Sequence, residues 1–222
     1  MDIYNEINNI LLNSDNPSIK IEKLMKEEDY NNSILEIISK LKEVPQDKKF
    51  HPEGNVWNHT KMVIDFAAKV RNFAVNKEVF MWSALLHDVG KITTTKFMKG
   101  RYRSYNHDTE GEKITYNLLK NYITNNEASN ISEIVRFHMH HIYILNDLPF
   151  SDIPNLIKSK NYNDIILLFI CDKLGRGNQE KEDKIRVLNE VEVILDKLER
   201  ENSNINNNIK FKIEEIKNLI IK

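Results

Sequence analysis

His59, the dipeptide His87-Asp88, His138 and Asp172 stand where the surrounding pattern calls for apolar residues, and His107 adds a further imidazole. Taken singly, each has an ordinary reading. Asp88 and Asp172 each end an apolar run and could be helix-end carboxylates in contact with water or a lysine, and a lone core histidine is more often a hydrogen-bonded packing residue than a ligand. Taken together they suggest something else. A carboxylate buried without a partner is costly, so such groups are paired or bound to metal. Imidazole and carboxylate together suit a divalent ion such as Zn, Mn, Fe, Ni or Co, with Mg as an open alternative. The ion makes buried Asp88 and Asp172 tolerable and lowers the pKa of a bound water, which gives a nucleophile near neutral pH. The ligands come from separate segments, so metal and core should stabilise each other.

The segments that must bring these residues together read as helices. Only six glycines and five prolines punctuate 222 residues, and no stretch alternates as a strand should. The expected helices run over 2–12, from Asn16-Pro17-Ser18 onward with Pro17 in the first turn, and over 33–41. After a loop over 45–55, a long helix is expected over 56–75, with His59, Met62, Val63, Phe66 and Val70 on one face. The next, 77–88, is apolar from Val79 to Leu86 and should be central, with Gly90 placed to stop it. Residues 91–106 read as irregular or hairpin-like. Further helices are expected over 109–122, 132–142 and 163–174, then two amphipathic ones over 181–200 and 209–221. The Asn-rich stretch 202–208 reads as a loop. The expected organisation is residues 1–45 as N-terminal helices on the core, 46–180 as the main domain, and 181–222 as C-terminal helices in the same globule or as an appendage. Those last helices also offer a surface for a homodimer.

Composition narrows the function. The 32 basic and 33 acidic residues leave a formal net charge of -1, which argues against a protein that coats nucleic acid with positive charge. The single cysteine, Cys171, excludes an intrachain disulfide and a thiolate zinc cluster. It reads as core filler. The start Met1-Asp2-Ile3-Tyr4-Asn5 lacks the features of a secretory signal. The longest apolar run, Ile165 to Cys171, is far short of the ~20 residues a membrane helix needs. A cytoplasmic protein with no membrane partner is expected.

The order His59 … His87-Asp88 … Asp172 resembles the signature of the HD superfamily of metal-dependent phosphohydrolases. Several stretches look like the HD domain of bacterial CCA-adding tRNA nucleotidyltransferases. These are Val44-Pro45-Gln46, His51 to Thr60, Leu86 to Lys91, Tyr105 to Asp108, Phe137-His138 and Asp172 to Arg176. Residues 10–24 resemble the helical segment that precedes that domain, and the likeness extends over about residues 5–180. The nucleotidyltransferase motifs of those enzymes, a glycine-rich turn and paired aspartates, do not occur in this sequence, so CCA addition by this polypeptide alone is not expected.

The resemblance implies an all-α HD-domain helical bundle with additional N- and C-terminal helices. It also implies hydrolysis of a nucleotide-like phosphomonoester or 2′,3′-cyclic phosphodiester. Carried over by position, His59, His87, Asp88 and Asp172 match primary metal ligands. His107 and His138 match positions that hold a second ion in dinuclear members, with Asp88 as the bridge, so one or two ions are implied.

In this reading Asp88 and Asp172 act in catalysis as ligands, and Lys91 and Arg176 steady charge on the phosphoester. Lys91 reads equally well as a helix C-terminal lysine answering the dipole, and Arg176 as a surface salt bridge. Arg101 and Arg103 lie in a basic and aromatic segment, Lys96 to Tyr105, that suits a nucleotide or is simply a solvated hairpin. His141 could reach the site, whereas His140 should face elsewhere. Two rival functions stay open. One is a dinuclear-iron oxygenase of the HD type. The other is a non-catalytic module that binds an RNA end or a separate protein.

Overall fold

The computed structural model describes residues 2–27, 34–177, 179–203 and 208–221. Ser33, where the third helix was expected to begin, and 204–207 of the Asn-rich stretch lie outside them. The described chain is helical apart from one small hairpin. It runs α1 (Ile3–Asn13), α2 (Pro17–Glu27), α3 (Ile34–Lys40), α4 (Val56–Val70), α5 (Lys77–Leu86) and α6 (Lys91–Thr94). The hairpin β1 (Thr95–Met98) and β2 (Arg101–Ser104) follows, then α7 (His107–Leu119) and α8 (Asn125–Phe137). The remaining helices are α9 (His140–Leu145), α10 (Ile153–Lys158), α11 (Tyr162–Leu174), α12 (Lys181–Glu201) and α13 (Asn208–Ile221). No described helix is long and apolar enough to cross a membrane.

Local chemistry explains most of the helix starts. Asp2 caps α1 through the N–H of Asn5, Asn55 caps α4 through Asn58, and Asn76 caps α5 through Glu78 and Val79. Thr124 and Glu127 form a reciprocal capping box on α8. Asp65, on α4, accepts from both the N–H and the hydroxyl of Ser18, so it caps the first turn of α2 from another helix.

Helices α5 and α11 are buried on all sides, from Val79 to Leu86 and from Tyr162 to Asp172, as helices without a polar face must be. They pack on each other and on α4 and α8. The N-terminal helices lie outside them, α1 on α5 and α2 on α4. Val187, Leu188, Val191, Ile194, Leu195 and Leu198 of α12, with Ile209, Ile213 and Ile216 of α13, join the same continuous core. The C-terminal ends of the two central helices carry His87-Asp88 and Asp172.

Several sequence expectations are corrected. Helix α4 ends at Val70, earlier than expected, and a 3-10 turn follows at Arg71–Phe73. The Asp164 carboxylate on α11 accepts the N–H groups of Val75 and Asn76 at 2.7 and 3.0 Å and turns the chain into α5. On α4, Ile64, Ala67 and Ala68 are buried more deeply than Met62 and Phe66. The single helix expected over 132–142 is two, because α8 begins at Asn125 and the chain breaks at His138-Met139 before α9. Helix α7 begins two residues before the expected Thr109, so His107 lies inside its first turn.

Gly90 does not stop α5 in a left-handed conformation. Its backbone is right-handed, with φ -65° and ψ -17°. A glycine is required because α7 crosses there: a Cβ would lie 2.0 Å from the carbonyl oxygen of His107 and 2.5 Å from the nitrogen of Gly111. Gly175 plays the same part at the end of α11, where a Cβ would lie 2.6 Å from Val63 Cγ2 and 2.8 Å from Val63 Cα. The two glycines set how closely the site-bearing ends approach α7 and α4.

Gly90→Ala and Gly175→Ala are therefore expected to destabilise the protein by roughly 1–3 kcal/mol or more, the range for overpacking a filled site. Urea unfolding would measure it. An unchanged midpoint in both variants would contradict the close approach.

Candidate metal centre

Five histidines share one hydrogen-bonding arrangement. Nδ1 of His87 meets the carbonyl oxygen of Ala84 at 2.9 Å, and Nδ1 of His107 meets that of Ser104 at 2.7 Å. His138 pairs with Val135 at 2.6 Å and His141 with His138 at 2.7 Å. Each of these partners is the carbonyl three residues earlier. His87 and His138 follow the last residues of α5 and α8, where carbonyl oxygens of the last turn can take a side-chain donor. His59 lies within α4, and its Nδ1 reaches the Gly175 carbonyl at 3.1 Å from the end of α11. A carbonyl oxygen only accepts, so in every case Nδ1 carries the proton. In the neutral ring Nε2 is then a lone pair.

These Nε2 atoms converge on Asp88 and Asp172, which are each 2% exposed. His59 Nε2 lies 3.0 Å from Asp172 Oδ1 and 3.8 Å from Asp88 Oδ2. His87 Nε2 lies 3.4 Å from Asp88 Oδ2. On the other oxygen, Asp88 Oδ1 is 3.4 Å from His107 Nε2 and 3.6 Å from His138 Nε2. The Nε2 atoms of His107 and His138 face each other at 3.2 Å. His141 Nε2 lies 3.6 Å from Asp172 Oδ2. Ligand atoms of His59, His87 and Asp172 all lie within 4.8 Å of one another, as do those of Asp88, His107 and His138.

Acceptors facing acceptors repel unless positive charge lies between them. The Nε2 atoms of His87 and His141 are buried without a hydrogen-bond partner, and buried polar groups are rarely left so. The donor set, imidazole nitrogen with carboxylate oxygen, is the one transition-series divalent ions take. On both counts the residues fit a divalent cation. His59, His87, Asp88 and Asp172 could hold one ion, and Asp88 with His107 and His138 a second.

The electrostatics follow from burial and neighbours. Burial opposes the charge of Asp88, but Lys91, then His87 and His138, hold its pKa well below the ordinary carboxylate value. Asp172 is likewise opposed by burial and held low by Arg176, then His59. Burial pushes His107 and His141 down to about 3, and lowers His87 as well. His59 also feels burial, yet Asp172 and then Glu53 raise it.

A cleft of about 230 Å³ opens onto this centre, with Asp88, His107, His138 and Asp172 on its wall. Lys91 lines it too, its Nζ donating to Asp88 Oδ2 at 2.7 Å and to Gln46 Oε1 at 2.8 Å. Lys91 opens α6 and does not end a helix, so the dipole reading does not apply. Arg176 donates to both oxygens of Asp172 at 3.0 and 3.1 Å and also lines the cleft, so it is more than a surface salt bridge. Arg101 and Arg103 do not line the cleft. Side chains alternate across a strand, and in this register Tyr102 and Ser104 turn to the cleft while Arg101 and Arg103 turn away. Arg103 instead donates to the Tyr105 hydroxyl. His141 is fully buried and is not among the residues on the cleft wall. His140 packs against Phe137 and Tyr143, with ring centroids at 4.7 and 5.4 Å.

Sequence reasoning missed Gln46 and Glu53 as parts of the site. One oxygen of Glu53 meets Nδ1 of His51 at 2.9 Å and Nδ1 of His59 at 3.3 Å, an outer carboxylate of the kind that orients metal-binding imidazoles. The signal was present in the stretch His51-Pro52-Glu53-Gly54, but no spacing rule ties it to a helix more than one turn away.

An α-helical bundle with this centre is an HD domain: the chain matches that family over residues 56–201 and belongs to it. The matched stretch includes α12. HD domains form a superfamily of metal-dependent phosphohydrolase type that binds divalent ions. Among individual proteins, the chain is similar to the Multifunctional CCA protein of Haemophilus influenzae, 28% identical over 182 residues, which cover 78% of this chain and 43% of that protein. It is also similar to the Multifunctional CCA protein of Actinobacillus pleuropneumoniae, 26% identical over 170 residues, covering 73% and 41%. The chain thus spans less than half the length of these relatives.

The buried neutral imidazoles make stability depend on pH. His107 and His141 (about 3) and His51 and His140 (about 4) bind protons less readily folded than unfolded, where the usual value is about 6.5. Their contribution is present above about pH 6.5 and is lost as pH falls toward their folded values. His59, raised, acts in the opposite sense at higher pH. Chelator-treated protein should therefore unfold at lower urea near pH 4.5 than near pH 7. A flat midpoint across that window would show that the rings are not buried neutral.

Proposed function

We propose that the protein hydrolyses a nucleotide-like phosphomonoester or cyclic phosphodiester in the cleft above Asp88 and Asp172. The observation that carries this reading is the convergence of Nε2 lone pairs and two carboxylates, beside a cleft that also presents the cations Lys91 and Arg176. A divalent ion bound there would neutralise the carboxylates and lower the pKa of a water molecule to near neutrality.

The chain's own groups do the rest. Asp88 and Asp172 stay ionised in a dry setting because Lys91 and Arg176 face them. The same two cations are the donors at hand for phosphate oxygens, where charge develops as the ester bond breaks. Gln46 holds the Lys91 ammonium at the cleft wall, and the main chain of Asp172 accepts from Arg176 Nε, so both donors are positioned before a substrate arrives. Tyr102 and Phe50 lie on the wall of the same cleft and offer rings for a base to stack on.

The second cluster, Asp88 with His107 and His138, keeps the oxygenase reading in view, since two ions could be held. Metal content and oxygen consumption separate the two readings.

Protein reconstituted with Mn, Co, Ni or Zn is expected to hydrolyse 2′,3′-cyclic nucleotides or nucleoside monophosphates. His87→Ala or Asp88→Ala should abolish this. Lys91→Ala and Arg176→Ala should each lower kcat on the order of 100-fold, the scale for removing one positioned donor. Undiminished turnover in Asp88→Ala, assayed after metal stripping, would refute the proposal.

A further inference from the structure

We propose that His141 is a ligand of the first cation site, making its donor set three imidazoles and two carboxylates: His59, His87, His141, Asp88 and Asp172. This rests on the reading of that site as cation-binding and adds a residue to it.

The tautomer of His141 is decided by its partner. Nδ1 lies 2.7 Å from the carbonyl oxygen of His138, an atom that only accepts, so the ring proton is on Nδ1. Nε2 is therefore a lone pair. It is buried, has no hydrogen-bond partner, and lies 3.6 Å from Asp172 Oδ2. A lone pair aimed at a carboxylate is unfavourable unless a positive centre sits between the two. The ring is not on the cleft wall, so a substrate does not supply that centre. Asp172 also faces His59 Nε2 at 3.0 Å, through its other oxygen. Arg176 also donates to Asp172 Oδ2, at 3.1 Å, but it does not hydrogen-bond His141 Nε2, which stays without a partner. A cation taken by His59 and Asp172 is the group that would engage that lone pair.

His140 provides an internal contrast. It is equally buried and both its ring nitrogens lack partners. Its ring, however, lies edge-on to Phe137 and Tyr143, and no described carboxylate oxygen comes within ion-pair distance of it. Burial alone therefore does not distinguish the two neighbours. Orientation does, and it comes from the break between α8 and α9.

A third imidazole changes what the site prefers. Nitrogen donors favour the later first-row divalent ions, whereas Mg²⁺ takes oxygen. With His141 engaged, Ni²⁺, Co²⁺ and Zn²⁺ should bind well ahead of Mg²⁺. Loss of His141 should narrow that gap.

The test compares His141→Gln with His140→Gln, using Ni²⁺ and Mg²⁺ in competition with a chromophoric chelator. His141→Gln is expected to weaken Ni²⁺ by at least 10–100-fold, roughly the loss seen when even an outer partner of a ligand is removed, and to change Mg²⁺ little. His140→Gln should leave both affinities alone. Should His141→Gln fail to fold, the wild-type protein still decides. On titration with Zn²⁺, the ¹⁵N resonance of His141 Nε2 should move to the metal-bound range while that of His140 stays. Wild-type Ni²⁺ affinity in folded His141→Gln, or a stationary His141 Nε2 in zinc-loaded protein, overturns this inference alone. Failure of the wild-type protein to bind any of these ions overturns the proposed function with it.

Discussion

The site depends on one constraint: a backbone carbonyl can accept a hydrogen bond and cannot donate one. Five imidazoles place Nδ1 against such an oxygen. All five are therefore held in one tautomer, with Nε2 free of its proton when neutral. Because these nitrogens turn inward on two charged carboxylates, the interior collects electron pairs, offset in part by His59, whose charged form Asp172 and Glu53 favour. Lys91 and Arg176 supply part of the missing charge. The remainder is what a divalent ion would provide.

Holding that pocket together is the work of the two central helices. α5 and α11 have no polar face, so they bury fully and bring their C-terminal ends side by side. Gly90 and Gly175 then allow α7 and α4 to close on those ends. His107 arrives with the first, and His59 finds its carbonyl through the second. Metal binding would thereby be coupled to packing, because the same close approaches that fill the core also set the distances between the candidate ligands.

Outside the pocket, the cleft wall sorts the remaining charges. The cations that face inward, Lys91 and Arg176, are tied to site carboxylates and to Gln46 or main-chain oxygen. Those on the hairpin, Arg101 and Arg103, are turned away by strand alternation, and Tyr102 and Ser104 take their place. Composition placed basic and aromatic residues in one segment. The register divided them between two faces.

Much of this was legible in the sequence. The helical class, the central place of 79–86, the helix over 163–174, and the His and Asp residues out of keeping with an apolar pattern all follow from spacing and composition, which are local. Four of the five tautomer-setting bonds are local, each spanning three residues, but the apolar pattern does not announce them. The α8–α9 break was hidden because apolar spacing runs through it unchanged, and the hairpin faces because they depend on a register no local rule supplies. Tertiary structure alone decided the rest. The bond from His59 to Gly175 joins residues 116 apart in sequence, and that from Lys91 to Gln46 joins residues 45 apart. Gly90 reads as a helix stop until a crossing helix shows why a side chain cannot fit. Helix propensity and spacing act over a few residues, whereas the convergence of Asp88 and Asp172 depends on which helix ends meet once the core is packed.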